Sequence, residues 1–367
     1  MSERKIKIGI TQGDTNGIGY EVIMKALNCD EMLQLCTPII YGSPKVLSYH
    51  RKAIDMQQFG ASMTRNADNA RDGVVNLIDV MNGEEVKIEL GEPSKAAGHA
   101  AFAALEAAVT DLKAGRIDAL VTAPINKDNI QSDKFNFTGH TEYLQARCQG
   151  DGNALMILFD EHVRVALVTT HLPISQVSQA ITLDTILTRL RTFDASLRRD
   201  FGIERPRIAV LALNPHAGEN GLLGNEEKDI IVPAIGQAYD ESIMCFGPYS
   251  ADSFFALEQY RHFDGVLAMY HDQGLAPFKT IARGTGVNFT AGLPIVRTSP
   301  DHGTGYDITG TNTADATSMR HAIYAAIDIC RNRAAYDEAT ANPLGKLYEA
   351  RGKDNVVLDL TKDENDE

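Results

Sequence analysis

Histidine is the side chain whose ordinary pKa lies closest to neutrality, and it is the commonest metal ligand. Three histidines of this 367-residue chain occupy the same kind of place. His171, His216 and His271 each close an apolar run that reads as a buried strand, over residues 163–169, 208–213 and 265–270. Ligands of open α/β sheets bind outside the carboxyl ends of the strands, so three such imidazoles could meet at one point. Three histidines with an open fourth position form a catalytic zinc site. Zn²⁺ is the first expectation, with Co²⁺, Mn²⁺ or Mg²⁺ as alternatives. Asp252 and Asp272 are candidates for further ligands, or for carboxylates that orient an imidazole. Taken singly, each histidine reads more simply as a structural hydrogen-bonder; the shared position is what argues for a metal.

Two further groupings carry polar chemistry. Thr138, Gly139, His140, Thr141 and Glu142 form a compact cluster in which His140 and Thr141 suit a carboxylate or phosphate. The same residues also read as a helix start, with a threonine cap and Glu142 in the first turn. Residues 271–307 then bring Lys279, Asn288, Arg297, Asp301 and His302 among glycines and prolines. Lysine with arginine suits a phosphate, the arginine bidentately.

The elements that must position these groups alternate between strand and helix. Residues 5–10, 38–42 and 117–122 read as strands, and 154–159 with 163–169 as a hairpin across 160–162. Residues 74–79 and 86–90 are weaker strand candidates. Helices are expected over 18–27, 44–51 (with Ser43 as cap and Pro44 at its first position), 98–114, 183–198, 226–239 (broken near Pro233) and 318–333. An acidic tail covers 363–367. The alternation predicts an α/β fold with a largely parallel sheet. With no linker or repeat visible, two domains sharing one interrupted sheet system are expected.

Composition narrows the function classes. The formal charge is −14 with no basic stripe, which argues against a nucleic-acid partner. No apolar run is long enough for a membrane span, and the first residues lack a signal-peptide core, so a cytoplasmic location is the expectation. The five cysteines include no CxxC pair, which argues against a disulfide framework. Neither a P-loop nor a GxGxxG fingerprint is present: Gly13, Gly17 and Gly19 have the wrong spacing.

Seven motifs in order add a resemblance. They are TQGD at 11–14 with GIG at 17–19, APINK at 123–127, TGHTE at 138–142, TTHLP at 169–173, NPHAGE at 214–219, YHDQG at 270–274 and RTSPDHGT at 297–304. The series resembles the 4-hydroxythreonine-4-phosphate dehydrogenase family of pyridoxal phosphate biosynthesis, from residue 5 to about 335. The resemblance implies two α/β/α domains flanking a cleft, in an isocitrate/isopropylmalate-dehydrogenase-like fold. The expected division is 1–142 with 292–367, and 143–291. It implies metal ligands His171, His216 and His271, and substrate contacts His140, Thr141, Lys279, Asn288 and Arg297. It further implies NAD or NADP as hydride acceptor, a small phosphorylated hydroxy acid as substrate, and a homodimer with the site at or near the subunit interface. The general base is open between Lys279, Asp252 and a metal-bound water. Thr15-Asn16 and Tyr20 depart from the family pattern, as does Ala276-Pro277-Phe278, and the chain is longer, with the extra length in 50–95 and the tail. These departures leave open a relative that acts on erythronate or threonate 4-phosphate. A metal-dependent hydrolase, an acyltransferase of phosphotransacetylase type and a binding protein are the competing classes.

Overall fold

The computed structural model describes residues 4–148 and 154–343; the acidic tail lies outside them. Twelve strands form one sheet. In chain order they are β1 Ile6–Thr11, β2 Cys36–Gly42, β3 Ser62–Thr64, β4 Asn76–Asp79, β5 Ala119–Thr122 and β6 Leu155–Phe159. β7 Arg164–Leu167, β8 Ile208–Leu211, β9 Cys245–Tyr249, β10 Gly265–Ala268, β11 Val287–Ala291 and β12 Arg297–Pro300 complete it. The spatial order is β3-β4-β2-β1-β5-β12-β11-β6-β7-β10-β8-β9. The sheet is not interrupted: the β12-β11-β6 ladders carry it across the middle.

The direction of the strands reverses there. β12 runs parallel to β5, but β11 is antiparallel to both β12 and β6, and β6 is antiparallel to β7. The strands β7, β10, β8 and β9 therefore point opposite to β1, β2, β4 and β5. Short antiparallel connections make this possible, because a hairpin needs no crossover helix; β6 and β7 join across residues 160–163, where the Asp160 side chain accepts from the N–H groups of His162 and Val163.

One sheet face is apolar across its width. Ile8, Ile10, Val121, Ile157, Phe289, Val210 and Leu267 bury there beneath the helices Gly19–Leu27, Leu183–Arg199 and Thr317–Thr340. The other face carries two separate apolar clusters. Ile39, Tyr41 and Leu120 pack under the helix Lys95–Lys113, and Leu158, Val165, Leu167 and Ala268 pack under the helix His271–Ala282. Between them the sheet surface is polar, and that strip is where a ligand can lie.

Most expected elements are present, and the exceptions have local causes. The helix Pro44–Ala53 is capped by the Ser43 side chain, which accepts from the Val46 N–H. Residues 86–90 are not a strand. They belong to a loop clamped by Asn16, whose side chain accepts from the Glu89 N–H and donates to the Glu92 carbonyl, and whose own carbonyl accepts from the Gly91 N–H. The departure at Asn16 thus secures part of the extra length. The helix Asp30–Leu35 has only Met32 buried, so no apolar periodicity announced it. No break occurs at Pro233: one π-helical turn, Glu227–Ile231, passes directly into the helix Val232–Asp240, whose first turn tolerates proline. Among the described residues no helix is long and apolar enough to cross a membrane.

Candidate active site

Residues directly opposite each other in neighbouring strands share a sheet face. The registers therefore place Leu120 and Thr122 of β5, Arg297 and Ser299 of β12, Asn288 and Thr290 of β11, and Met156 and Leu158 of β6 on one face. From this row Thr122, Arg297, Ser299, Asn288, Met156 and Leu158 floor a cavity of about 260 Å³. Its walls come from the start of the helix His140–Cys148, which brings His140, Thr141 and Glu142, and from the helix His271–Ala282. Along the latter, His271, Leu275 and Lys279 are spaced by four residues and face the cavity together. Lys127, His171 and the loop of Asp301 and His302 complete the rim.

The cavity is polar and its polar groups are incompletely satisfied. His140 Nε2, Glu142 Oε2, Asn288 Oδ1 and His302 Nε2 are all shielded from solvent and have no hydrogen-bond partner. Such groups carry a desolvation cost that a ligand can remove. Arg297 is 3% exposed, and its guanidinium donates to the Thr122 hydroxyl from Nε (3.0 Å) and Nη2 (2.6 Å), and to the Thr290 hydroxyl at 3.3 Å. Burial pulls its pKa down to about 10, with Glu142 opposing. Desolvation, reinforced by the positive charges of Arg297 and Lys127, holds the His140 imidazole well below its usual value, so it is neutral at pH 7. Glu142 is held down at about 2, chiefly by His171 and against the pull of burial; its Oε1 lies 3.7 Å from His171 Nδ1. Lys279 Nζ donates to the Asp301 carbonyl at 3.2 Å.

The expected substrate residues His140, Thr141, Lys279, Asn288 and Arg297 thus share one cavity. The three histidines do not. His171 and His271 sit together, ring centroids 6.0 Å apart. His216 lines a neighbouring cavity of about 530 Å³ with Asp252, Asn214, Ser250 and Tyr270. Among the described residues no cluster of three metal-ligating side chains forms. The three strand ends therefore do not bring the imidazoles together within a single chain, for a backbone reason. After β8, residues 216–220 run through five successive left-handed conformations (φ 47° to 79°). The buried Glu227 carboxylate fixes the approach, accepting from the N–H groups of Leu213 and Asn214 and from the Asn214 side chain. Asp252, expected as a catalytic group, stands with His216; Ser250 donates to it at 2.6 Å and holds its carboxyl below the usual range. Asp272 faces His271 Nδ1 at 3.4 Å.

Lys127, Glu142 and His302 line the site without having been assigned a role from sequence. Each lies inside one of the ordered motifs, but as a residue type common on surfaces. The crevice itself is also differently placed from the strand-end expectation. Because the two halves of the sheet point in opposite directions, it lies over the central strands, where groups from both halves can reach.

The donor chemistry of His171 and His271 fits two ligands of a borderline divalent cation, and among the described residues of one chain no third joins them. A family model described as pyridoxal phosphate biosynthetic protein PdxA matches residues 34–326. A 4-hydroxythreonine-4-phosphate dehydrogenase of Bacteroides thetaiotaomicron is 54% identical over 363 residues, covering 98% of both chains. A relative from Oceanobacillus iheyensis, provisionally named a D-threonate 4-phosphate dehydrogenase, is 40% identical and covers 90% of this chain and 99% of its own. The crystal structure of the Klebsiella pneumoniae 4-hydroxythreonine-4-phosphate dehydrogenase superposes with a TM-score of 0.75 at 34% identity, over 90% of this chain and 99% of that one. The fold is accordingly the isocitrate/isopropylmalate-dehydrogenase-like α/β architecture. Seven ordered motifs, one shared architecture and a match across most of its length place this chain in the PdxA family of pyridoxal phosphate biosynthetic proteins, among relatives named as oxidoreductases.

Proposed function

We propose that this chain is a metal-dependent, NAD(P)-linked dehydrogenase of 4-phosphohydroxy-L-threonine. It oxidises the C3 hydroxyl to a 3-oxo acid, which loses CO₂ to give 3-amino-2-oxopropyl phosphate. The observation that carries this reading is the cavity: Lys127, Lys279 and Arg297 surround unpartnered buried polar atoms beside a histidine pair. A small ligand with two anionic groups answers that arrangement. Arg297 and Lys279 suit the phosphate or carboxylate, while Thr141, Asn288 and neutral His140 add directional hydrogen bonds.

A divalent cation, Zn²⁺ first, would be held by His171 and His271 with His216 from a second copy of the chain. When bound, it supplies the positive charge that lowers the pKa of the substrate hydroxyl. Lys279 in its neutral form, within this cavity, or Asp252, which would arrive beside His216, would accept the hydroxyl proton. The C3 hydride leaves for the nicotinamide of NAD⁺ or NADP⁺. A homodimer with the site at the subunit interface is supported by exposed apolar residues next to both histidine loops: Leu172 and Ile174 after His171, and Leu222 and Leu223 after His216. In that arrangement, His171→Ala and His216→Ala proteins, each inactive alone, regain activity when mixed and allowed to exchange subunits. No recovery would place all ligands in one chain.

The central test is NADH or NADPH formation from 4-hydroxythreonine 4-phosphate, its loss on chelation and its return with Zn²⁺. Phosphate release without dinucleotide reduction would instead show a hydrolase. A second reading, oxidation of erythronate or threonate 4-phosphate, is favoured by the name of the Oceanobacillus iheyensis relative, and the same assay with those acids tests it.

A further inference from the structure

Building on that reading, we propose that Asp14 is a positioning residue for the anion-binding cavity: its buried carboxylate locks together the two loops that set the lysines of the rim. The loop after β5 carries Lys127. The loop after β12 carries His302, and its Asp301 carbonyl accepts from Lys279 Nζ at 3.2 Å. Asp14 itself does not line the cavity; it acts through these groups.

Asp14 lies in the turn between β1 and the helix Gly19–Leu27 and is 1% exposed. That turn is wedged between the two loops. The Asp14 N–H donates to the Pro124 carbonyl at 2.9 Å, and the Ile18 N–H donates to the Thr304 carbonyl at 2.9 Å. The contacts leave no room for side chains. A Cβ on Gly13 would lie 2.4 Å from the Pro124 oxygen, and one on Gly17 would lie 2.6 Å from the Thr304 oxygen.

The Asp14 side chain completes the wedge. Its Oδ1 accepts from the Asn16 N–H at 2.9 Å, a bond within the turn. Its Oδ2 reaches outward, accepting from Asn129 Nδ2 at 2.7 Å and from the Tyr306 hydroxyl at 2.8 Å. One oxygen thus receives a donor from each loop. A buried carboxylate is costly unless its oxygens are answered, and here the answer requires both loops to be in place at once. An amide cannot serve in its stead. Asparagine at position 14 could keep the bond within the turn, but it would then point an NH₂ group, which only donates, at two donors. The rim is sensitive to such a change, because a misplacement of about 1 Å can cost on the order of 100-fold in rate.

Two variants test this: Tyr306→Phe removes one hydroxyl, and Asp14→Asn removes the shared acceptor. With inorganic phosphate as the probe, calorimetry should show affinity falling roughly 3- to 30-fold in both. With 4-hydroxythreonine 4-phosphate, KM should rise more than kcat falls. Tyr306→Phe combined with Lys279→Met should lose less affinity than the product of the two separate losses, because the hydroxyl acts through that lysine. Independent losses overturn the proposal and leave the bracket a role in stability alone; so does unchanged phosphate affinity in both variants. Hydrogen exchange tests the coupling without any ligand. Tyr306→Phe alters the loop 301–308, yet it should speed exchange in 124–130 as well, and faster exchange confined to 301–308 overturns the proposal. If the wild type binds no phosphate, the anion-cavity reading fails, while the exchange pattern still decides whether Asp14 joins the two loops.

Discussion

Replacing Arg297 by methionine separates the stability of the fold from the chemistry of the cavity. Among the described residues no carboxylate lies within ion-pair distance of this buried guanidinium, and its donors are answered by two threonine hydroxyls. The drop in its pKa from 12.5 to about 10 comes from burial. At about 1.4 kcal/mol per pH unit, it corresponds to a cost on the order of 3 kcal/mol for keeping the cation there. Methionine fills similar space without that cost, and forfeits hydrogen bonds contributing about 1–2 kcal/mol in total. The ligand-free Arg297→Met protein should therefore be as stable as the wild type or more stable by about 1–2 kcal/mol. Anion binding should move the other way. Truncating one partner of a buried charge pair costs about 2–5 kcal/mol, a 30-fold to more than 1,000-fold loss of affinity. Inorganic phosphate at about a hundred times its wild-type Kd should add about 2.7 kcal/mol to the wild type and less than about 1 kcal/mol to the variant. Urea unfolding followed by circular dichroism suits a chain without tryptophan. A ligand-free variant weakened by 2 kcal/mol or more, yet still protected by phosphate, would refute the reasoning.

Three other perturbations follow from the packing. Gly98→Ala gains helix propensity, but its Cβ would fall 2.1 Å from the Asn129 carbonyl oxygen. Backbone cannot yield as a side chain can, so a net loss of about 1–3 kcal/mol is expected, with a raised KM because residues 124–130 carry Lys127; a stabilised protein in thermal melts would contradict this. Arg333→Met should cost about 3–5 kcal/mol by stranding Asp200, to which Arg333 donates at 2.6 Å inside the protein. The double variant with Asp200→Asn should recover much of that loss. Burial lowers the pKa of His50, despite its hydrogen bond to the Thr15 carbonyl and the field of Glu21, and lowers that of His140 further. The unfolded chain binds those protons near pH 6.5 and the folded chain only below it, so stability is complete above about 6.5 and declines as pH falls. His50→Gln should make that decline shallower by up to one proton, about 1.4 kcal/mol per pH unit; an unchanged slope would exclude His50 as a source.

The sequence revealed those features that repeat along a strand or helix. Apolar runs announced β7, β8 and β10, and the turn residues between 160 and 163 announced the central hairpin. Arg297, Asn288 and Lys279 stood out because charged and amide groups in glycine-rich connections are conspicuous. What stayed hidden depends on the third dimension. The reversal of strand direction at β11 leaves no mark on periodicity, because a strand alternates identically in either direction. His216 was placed correctly at a strand end, but the left-handed turn that carries it away is set by Glu227, a contact across 13 residues. Glu142 read as a first-turn helix residue, which it also is; that its carboxylate faces His171 is a contact across 29 residues.

The join between β5 and β12 also dictates when the site can come into being. Arg297 meets Thr122 across 175 residues, and closing a loop of that length costs roughly 4–5 kcal/mol of chain entropy before any contact forms. Contacts so distant in sequence are slow to assemble. During synthesis the first five strands can pair and pack while the rest of the cavity floor is still untranslated. The binding site is therefore among the last parts of the molecule to be completed, so a chain halted before residue 297 lacks the Arg297 and Ser299 strand that joins the two sides of the cavity floor.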